Sequence, residues 1–133
     1  SLILVNSIYP TRVADALLAK AKAGNGPAAD FIIKYGLYKR LLGIKNAFSE
    51  KEDLVMLDDL EACNNYQLDL TELKNLELPI SIILGSKDKL VDIKAVDSFA
   101  NVVPSKIHTI DEVGHFPFFE DPDELSKLIS SLV

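Results

Sequence analysis

Asp88 and His115, 27 positions apart, are the two side chains in this sequence whose types and settings could do chemistry together. Asp88 follows Ile80-Ser81-Ile82-Ile83-Leu84-Gly85-Ser86-Lys87. His115 follows Lys106-Ile107-His108-Thr109-Ile110-Asp111-Glu112-Val113-Gly114 and precedes Phe116-Pro117. Each lies just beyond an apolar run too short for a helix and is preceded by a glycine, which reads as strand then turn. If the two strands are parallel neighbours, both side chains emerge at the same carboxyl edge of one sheet, where open α/β sheets bind their ligands. A carboxylate there can hold an imidazole in one tautomer and stabilise its protonated form. That pair is two-thirds of a nucleophilic triad, and the third member has to be sought.

The rest of the chain supplies the elements that must position the pair. Residues 2–5, Leu-Ile-Leu-Val, form a continuous apolar run that suits a strand buried on both faces. Thr11 can cap a helix with Val13, Ala14, Leu17, Leu18 and Ala21 on one face. Gly24-Asn25-Gly26-Pro27 ends it, and Pro27 can open a second helix at its first position. That helix continues through Phe31, Ile32 and Tyr35 towards residues 37–42, interrupted by Gly36 and closed by Gly43. Ser49-Glu50-Lys51-Glu52 is a third helix start, with a hydroxyl acceptor and acidic residues opposing the helix dipole. Leu54, Val55, Leu57 and Leu60 follow to about Asn64, and residues 71–75 form a short turn or helix. Residues 11–75 thus read as helical, between two strand-bearing regions. After the 80–84 strand come an amphipathic helix over 92–102, a strand over 106–110 and a last helix capped by Asp121-Pro122-Asp123-Glu124.

Composition narrows the function classes. The chain has 133 residues, enough for one domain or part of one, with 48% hydrophobic and 26% charged residues as in globular proteins. A formal net charge of -6 without a basic stripe argues against nucleic acid as partner. Apolar runs reach about five residues, far below the roughly 20 that span a bilayer. The single cysteine, Cys63, excludes an intramolecular disulfide and a CxxC metal site. It reads as a buried thiol in a reducing, cytoplasmic setting. No pattern calls for a metal or cofactor. The first residues carry no charged n-region of a signal peptide. A strand beginning at Ser1-Leu2 leads to the expectation that the chain was cut from, or numbered inside, a longer protein.

Residues 79–91, with Gly85-Ser86-Lys87-Asp88, followed by Gly114-His115-Phe116-Pro117 and Glu120-Asp121-Pro122-Asp123-Glu124, resemble the carboxyl-terminal part of the α/β-hydrolase fold. The resemblance covers nearly the whole chain. It implies an α/β fold of parallel strands and flanking helices, with residues 1–6 and 76–133 as core and 7–75 as an inserted helical cap. It also implies Asp88 as the triad acid and His115 as the triad base. The nucleophile elbow G-x-S-x-G is absent, as is an early His-Gly loop for oxyanion donors, so both are expected upstream of residue 1. Ser7 follows a strand but has no helix start behind it, and is expected in the loop entering the cap.

The implied activity is that of a hydrolase, a serine carboxylesterase type acting on a small ester, with the amino-terminal half of the same fold as partner. C–C bond hydrolases, epoxide hydrolases and dehalogenases share this tail. A reading from another class is a catalytically dead half-fold acting as a binding module. Leu17, Phe31, Tyr35, Tyr38, Leu41 and Leu57 are expected among the apolar residues of the cap over the pocket. Taken alone, Asp88 could equally be a solvated turn carboxylate beside Lys87 and Lys89, and His115 a structural histidine. His108, Asp92, Asp97, Asp111 and Glu112 are read as surface, packing or capping residues. Phe116, Phe118 and Phe119 are read as core, with at least one edging the pocket.

Overall fold

In the computed structural model, which describes residues 1–24, 26–41, 44, 53–75 and 77–133, three parallel strands form one sheet in the order β1 (Leu2–Val5), β2 (Ile80–Gly85), β3 (Ser105–Ile110). Leu2 pairs with Ile80 and Val5 with Ile83 across the first ladder; Ile80 pairs with Ser105 and Gly85 with Ile110 across the second. Every residue of β2 is buried. Its sequence therefore carries no polar alternation, as a central parallel strand covered on both faces requires. β1 is half-buried instead of fully buried, because it has a strand neighbour on one side.

The period-two alternation of β2 divides the core into two layers. Ile80, Ile82 and Leu84 face α5 (Ile93–Val102) and pack with its Val96 and Phe99 and with Val103. Ile83 faces the other way, to Ile110, Val113 and Leu125, the last from α7 (Pro122–Leu132). α5 starts where Asp92 accepts from the Lys94 amide (3.0 Å), and α7 where Asp121 accepts from that of Glu124 (3.2 Å). Both caps satisfy helix N–H groups that would otherwise lack partners. A short helix, α6 (Pro117–Glu120), joins the turn after β3 to α7.

Between β1 and β2 the described residues form four helices and no strand: α1 (Asp15–Ala23), α2 (Pro27–Gly36), α3 (Asp53–Asn65) and α4 (Leu70–Lys74). α1, α2 and α3 share a cluster of their own around Leu17, Ala21 and Ala28, with Phe31, Leu57 and Leu60 against it. Pro27 opens α2 as expected. Thr11 does not cap α1. The helix starts at Asp15 behind Ala14, and the Thr11 hydroxyl donates back to the Ile8 carbonyl (3.1 Å). α2 stops at Gly36: the Leu37 amide still donates to Ile33 O (3.3 Å), but those of Tyr38 and Lys39 are taken by a side chain far along the chain. The expected helix start at residues 49–52, the closure at Gly43, and Asn25 lie outside the described residues. Among the described residues no helix is long and apolar enough to cross a membrane.

Phe99 is 2% exposed and joins α5 to β2. Phe99→Ala is expected to lower unfolding free energy by about 3–5 kcal/mol in urea titration, through lost burial and the cavity left behind.

Candidate active site

The turn after β2 carries Asp88, and the hydrogen bonding around it fixes both of its oxygens. Oδ1 accepts from the backbone amides of Leu90 (2.7 Å) and Val91 (3.2 Å). Oδ2 lies 2.8 Å from Nδ1 of His115. The Asp88 side chain is 4% exposed and that of His115 25%. A carboxylate oxygen can only accept, so Nδ1 carries the hydrogen, and in the neutral ring Nε2 keeps a lone pair. An imidazole in this tautomer, backed by a buried carboxylate, can take a proton at Nε2 and return it. The juxtaposition expected of the two turns on parallel neighbouring strands is the one observed.

Backbone contacts lock the two turns together beyond the end of the β2–β3 ladder. Ser86 N donates to Ile110 O (2.9 Å) and Lys87 N to Val113 O (2.8 Å). A Cβ on Gly85 would run into the carbonyl oxygens of Val113 and Gly114, so the turns approach this closely only with glycine there. The Ser86 hydroxyl adds a bond to Asp111 (3.0 Å) and accepts from the Glu112 amide (2.9 Å).

Sequence reasoning missed two supporting residues, both buried. Asn6, at the end of β1, accepts from Gly85 N through Oδ1 (2.8 Å) and donates through Nδ2 to Gly114 O (2.8 Å). One amide thus ties the ends of β1 and β2 to the turn after β3. Its φ of 41° lies in the left-handed region, which asparagine enters more readily than most residues. Glu120 accepts from Gly114 N through Oε1 (3.0 Å), and from Tyr38 N (2.9 Å) and Lys39 N (2.8 Å) through Oε2. These bonds hold the chain after α2 out of helix. The only sequence signals were an Asn closing a strand and a Glu ahead of Asp-Pro, neither of which names a distant partner.

A cavity of about 970 Å³ opens beside His115, lined among others by Leu17, Phe31, Tyr35, Leu90 and Phe116. Leu57 packs within the helical cluster instead, and Tyr38 is 48% exposed. Phe116 edges the cavity, whereas Phe118 and Phe119 are exposed rather than core, their rings tilted against each other with centroids 4.7 Å apart. Cys63 is exposed, not buried, because Met56, Leu57 and Leu60 make the apolar contacts of α3. His108 is half-buried on β3, and its buried Nε2 has no hydrogen-bond partner among the described residues. Ser7 is exposed just past β1. A second cavity, about 640 Å³, lies beside Tyr9, Arg12 and Tyr66 and touches neither Asp88 nor His115.

No family sequence model and no curated protein sequence matches the chain. Solved structures do. The chain is similar over 98% of its length to the esterase from Exiguobacterium antarcticum (TM-score 0.77, 15% identity), covering 56% of that chain. A thermophilic esterase matches over 98% (TM-score 0.75, 20% identity), with 54% of its own length covered. An alpha/beta hydrolase enzyme from a Medee basin deep-sea metagenome library matches over 96% (TM-score 0.61, 18% identity), with 53% covered. The chain therefore spans about half the length of the structures it matches.

Asn6→Ala is expected to cost about 2–4 kcal/mol in urea titration, because it leaves two buried backbone groups without partners. Asn6→Asp is expected to be no rescue, since its second oxygen would meet the Gly114 carbonyl. A loss under about 0.5 kcal/mol for either would show that Asn6 does not hold the turns.

Proposed function

From the fold it has, that of the carboxyl-terminal half of an α/β hydrolase, we propose that this chain is the acid-and-base half of a serine carboxylesterase-type hydrolase for a small ester. The observation that carries the reading is the 2.8 Å contact of Asp88 Oδ2 with His115 Nδ1, at a largely buried carboxylate beside an apolar cavity. The esterases among its structural neighbours support it. In this reading residues 1–6 and 76–133 belong to the catalytic core and residues 7–75 are the cap over the substrate. The nucleophile and the oxyanion donors come from an amino-terminal half outside this sequence.

The reaction runs in two half-cycles. The serine hydroxyl attacks the ester carbonyl while Nε2 of His115 takes its proton, and backbone donors hold the oxyanion. The tetrahedral intermediate collapses, and the leaving alkoxide receives that proton as the alcohol departs. Water then attacks the acyl-enzyme with Nε2 again as base, and the proton returns to serine as the acid is released. Asp88 takes no proton. It keeps the ring in the Nδ1–H tautomer and stabilises the imidazolium formed in each half-cycle. Leu17, Phe31 and Tyr35 would close an apolar pocket over the acyl or alcohol group.

The assembled protein, purified from its own cells through a tag after Val133, is expected to hydrolyse p-nitrophenyl acetate. Asp88→Asn is expected to lower kcat by about 10⁴-fold with little change in KM, by favouring the wrong tautomer. His115→Ala is expected to cost at least as much. This chain purified alone, with no companion segment and no hydrolysis, would favour a binding module and overturn the enzyme reading.

A further inference from the structure

The chain after α2 and the turn that carries His115 are joined at two consecutive amides. His115 N donates directly to Gly36 O (2.6 Å), and Gly114 N donates to Glu120 Oε1 (3.0 Å). Through its other oxygen Glu120 grips Tyr38 N and Lys39 N at 2.9 and 2.8 Å. The Lys39 ammonium closes the arrangement from outside, 3.1 Å from the Glu120 carbonyl and 3.5 Å from Asp121 Oδ2. Glu120 is 7% exposed. A carboxylate held out of water is costly unless donors replace the water it has lost, and here three backbone N–H groups do so. The same carboxylate therefore bonds the residue before His115 and the segment that leaves α2, whose Phe31 and Tyr35 line the cavity. A Cβ on Gly114 would collide with Gly36 O and crowd Glu120 Oε1, so the three parts meet without slack.

We propose that Glu120 is a positioning residue for His115. It locks the Gly114–His115 backbone to the segment after α2, so that the ring stays within reach of Asp88 only while that segment is in place. Its importance for catalysis rests on the hydrolase reading above. The positioning itself does not, and can be measured without turnover.

The experiment is nitrogen-15 NMR on the full chain, following the Nδ1–H of His115 and the amides of Gly114, Tyr38 and Lys39. Glu120→Gln keeps the size of the side chain but puts an NH₂ group against one set of backbone donors. It is expected to speed amide exchange on the broken arm by about tenfold or more. It is also expected to broaden or remove the His115 Nδ1–H signal, while signals from the α5 and α7 cores stay in place. A purely structural role would lower stability and leave the His115 signal of the folded chain unmoved, and that result overturns the proposal. Should the Gln variant not fold, Glu120→Asp is read in the same way, since it keeps the charge and shortens the reach by one methylene. Ester hydrolysis by the assembled variant separates the two ideas. A His115 signal that responds in the variant, when the assembled protein with Glu120 intact hydrolyses no ester either, retains the positioning role and sinks the hydrolase reading. Full activity with an indifferent signal does the reverse.

Discussion

The contact between Gly85 and the Val113–Gly114 carbonyls is the constraint on which the site depends. Two turns at the ends of parallel strands ordinarily stand a strand spacing apart. Here they close further, because no side chain intervenes at Gly85 and Lys87 N and Ser86 N continue the pairing past the ladder. The closure lets two short side chains, an aspartate and a histidine, meet at 2.8 Å. Short side chains have few rotamers to lose, so little conformational entropy opposes the pairing and the geometry is set before any ligand arrives.

Two carboxylates with little exposed surface share this region, and each has both oxygens engaged. Asp88 uses one oxygen for its own turn and the other for the imidazole. Glu120 uses one for the His115 turn and the other for the segment after α2. Neither is left facing an apolar wall. The difference between them is chemical: Asp88 meets a group that can gain and lose a proton, while Glu120 meets only amides.

Much of this was legible in the sequence, and the limits of legibility have a physical pattern. Asp88 and His115 could be read because each follows a short apolar run ended by a glycine, and because the intervening helix, with Val96 and Phe99 on its inner face, forces a parallel crossover. The caps at Asp92 and Asp121 could be read because a cap is a local bond, spanning two or three residues. Asn6 and Glu120 could not. Their partners lie 79 and 108 positions away for Asn6, and 81 and 82 for the outer arm of Glu120. The end of α2 was misjudged for the same reason, since Tyr38 and Lys39 bond to a side chain no local pattern reveals. Thr11 failed differently. Its hydroxyl found the Ile8 carbonyl instead of a helix amide, one of the competing local bonds open to threonine.

The sheet order β1-β2-β3 bears on how such a site comes into being as the chain folds. The acid and the imidazole both fall within residues 80–115, one strand–helix–strand unit whose ends close over a modest stretch of chain. The side-chain amide of Asn6, and the Tyr38 and Lys39 amides that Glu120 holds, come from much earlier in the chain. Closing a longer loop costs more entropy, and distant pairings form later. The acid and the base thus sit within one local unit, while the bonds that brace them reach in from remote parts of the chain.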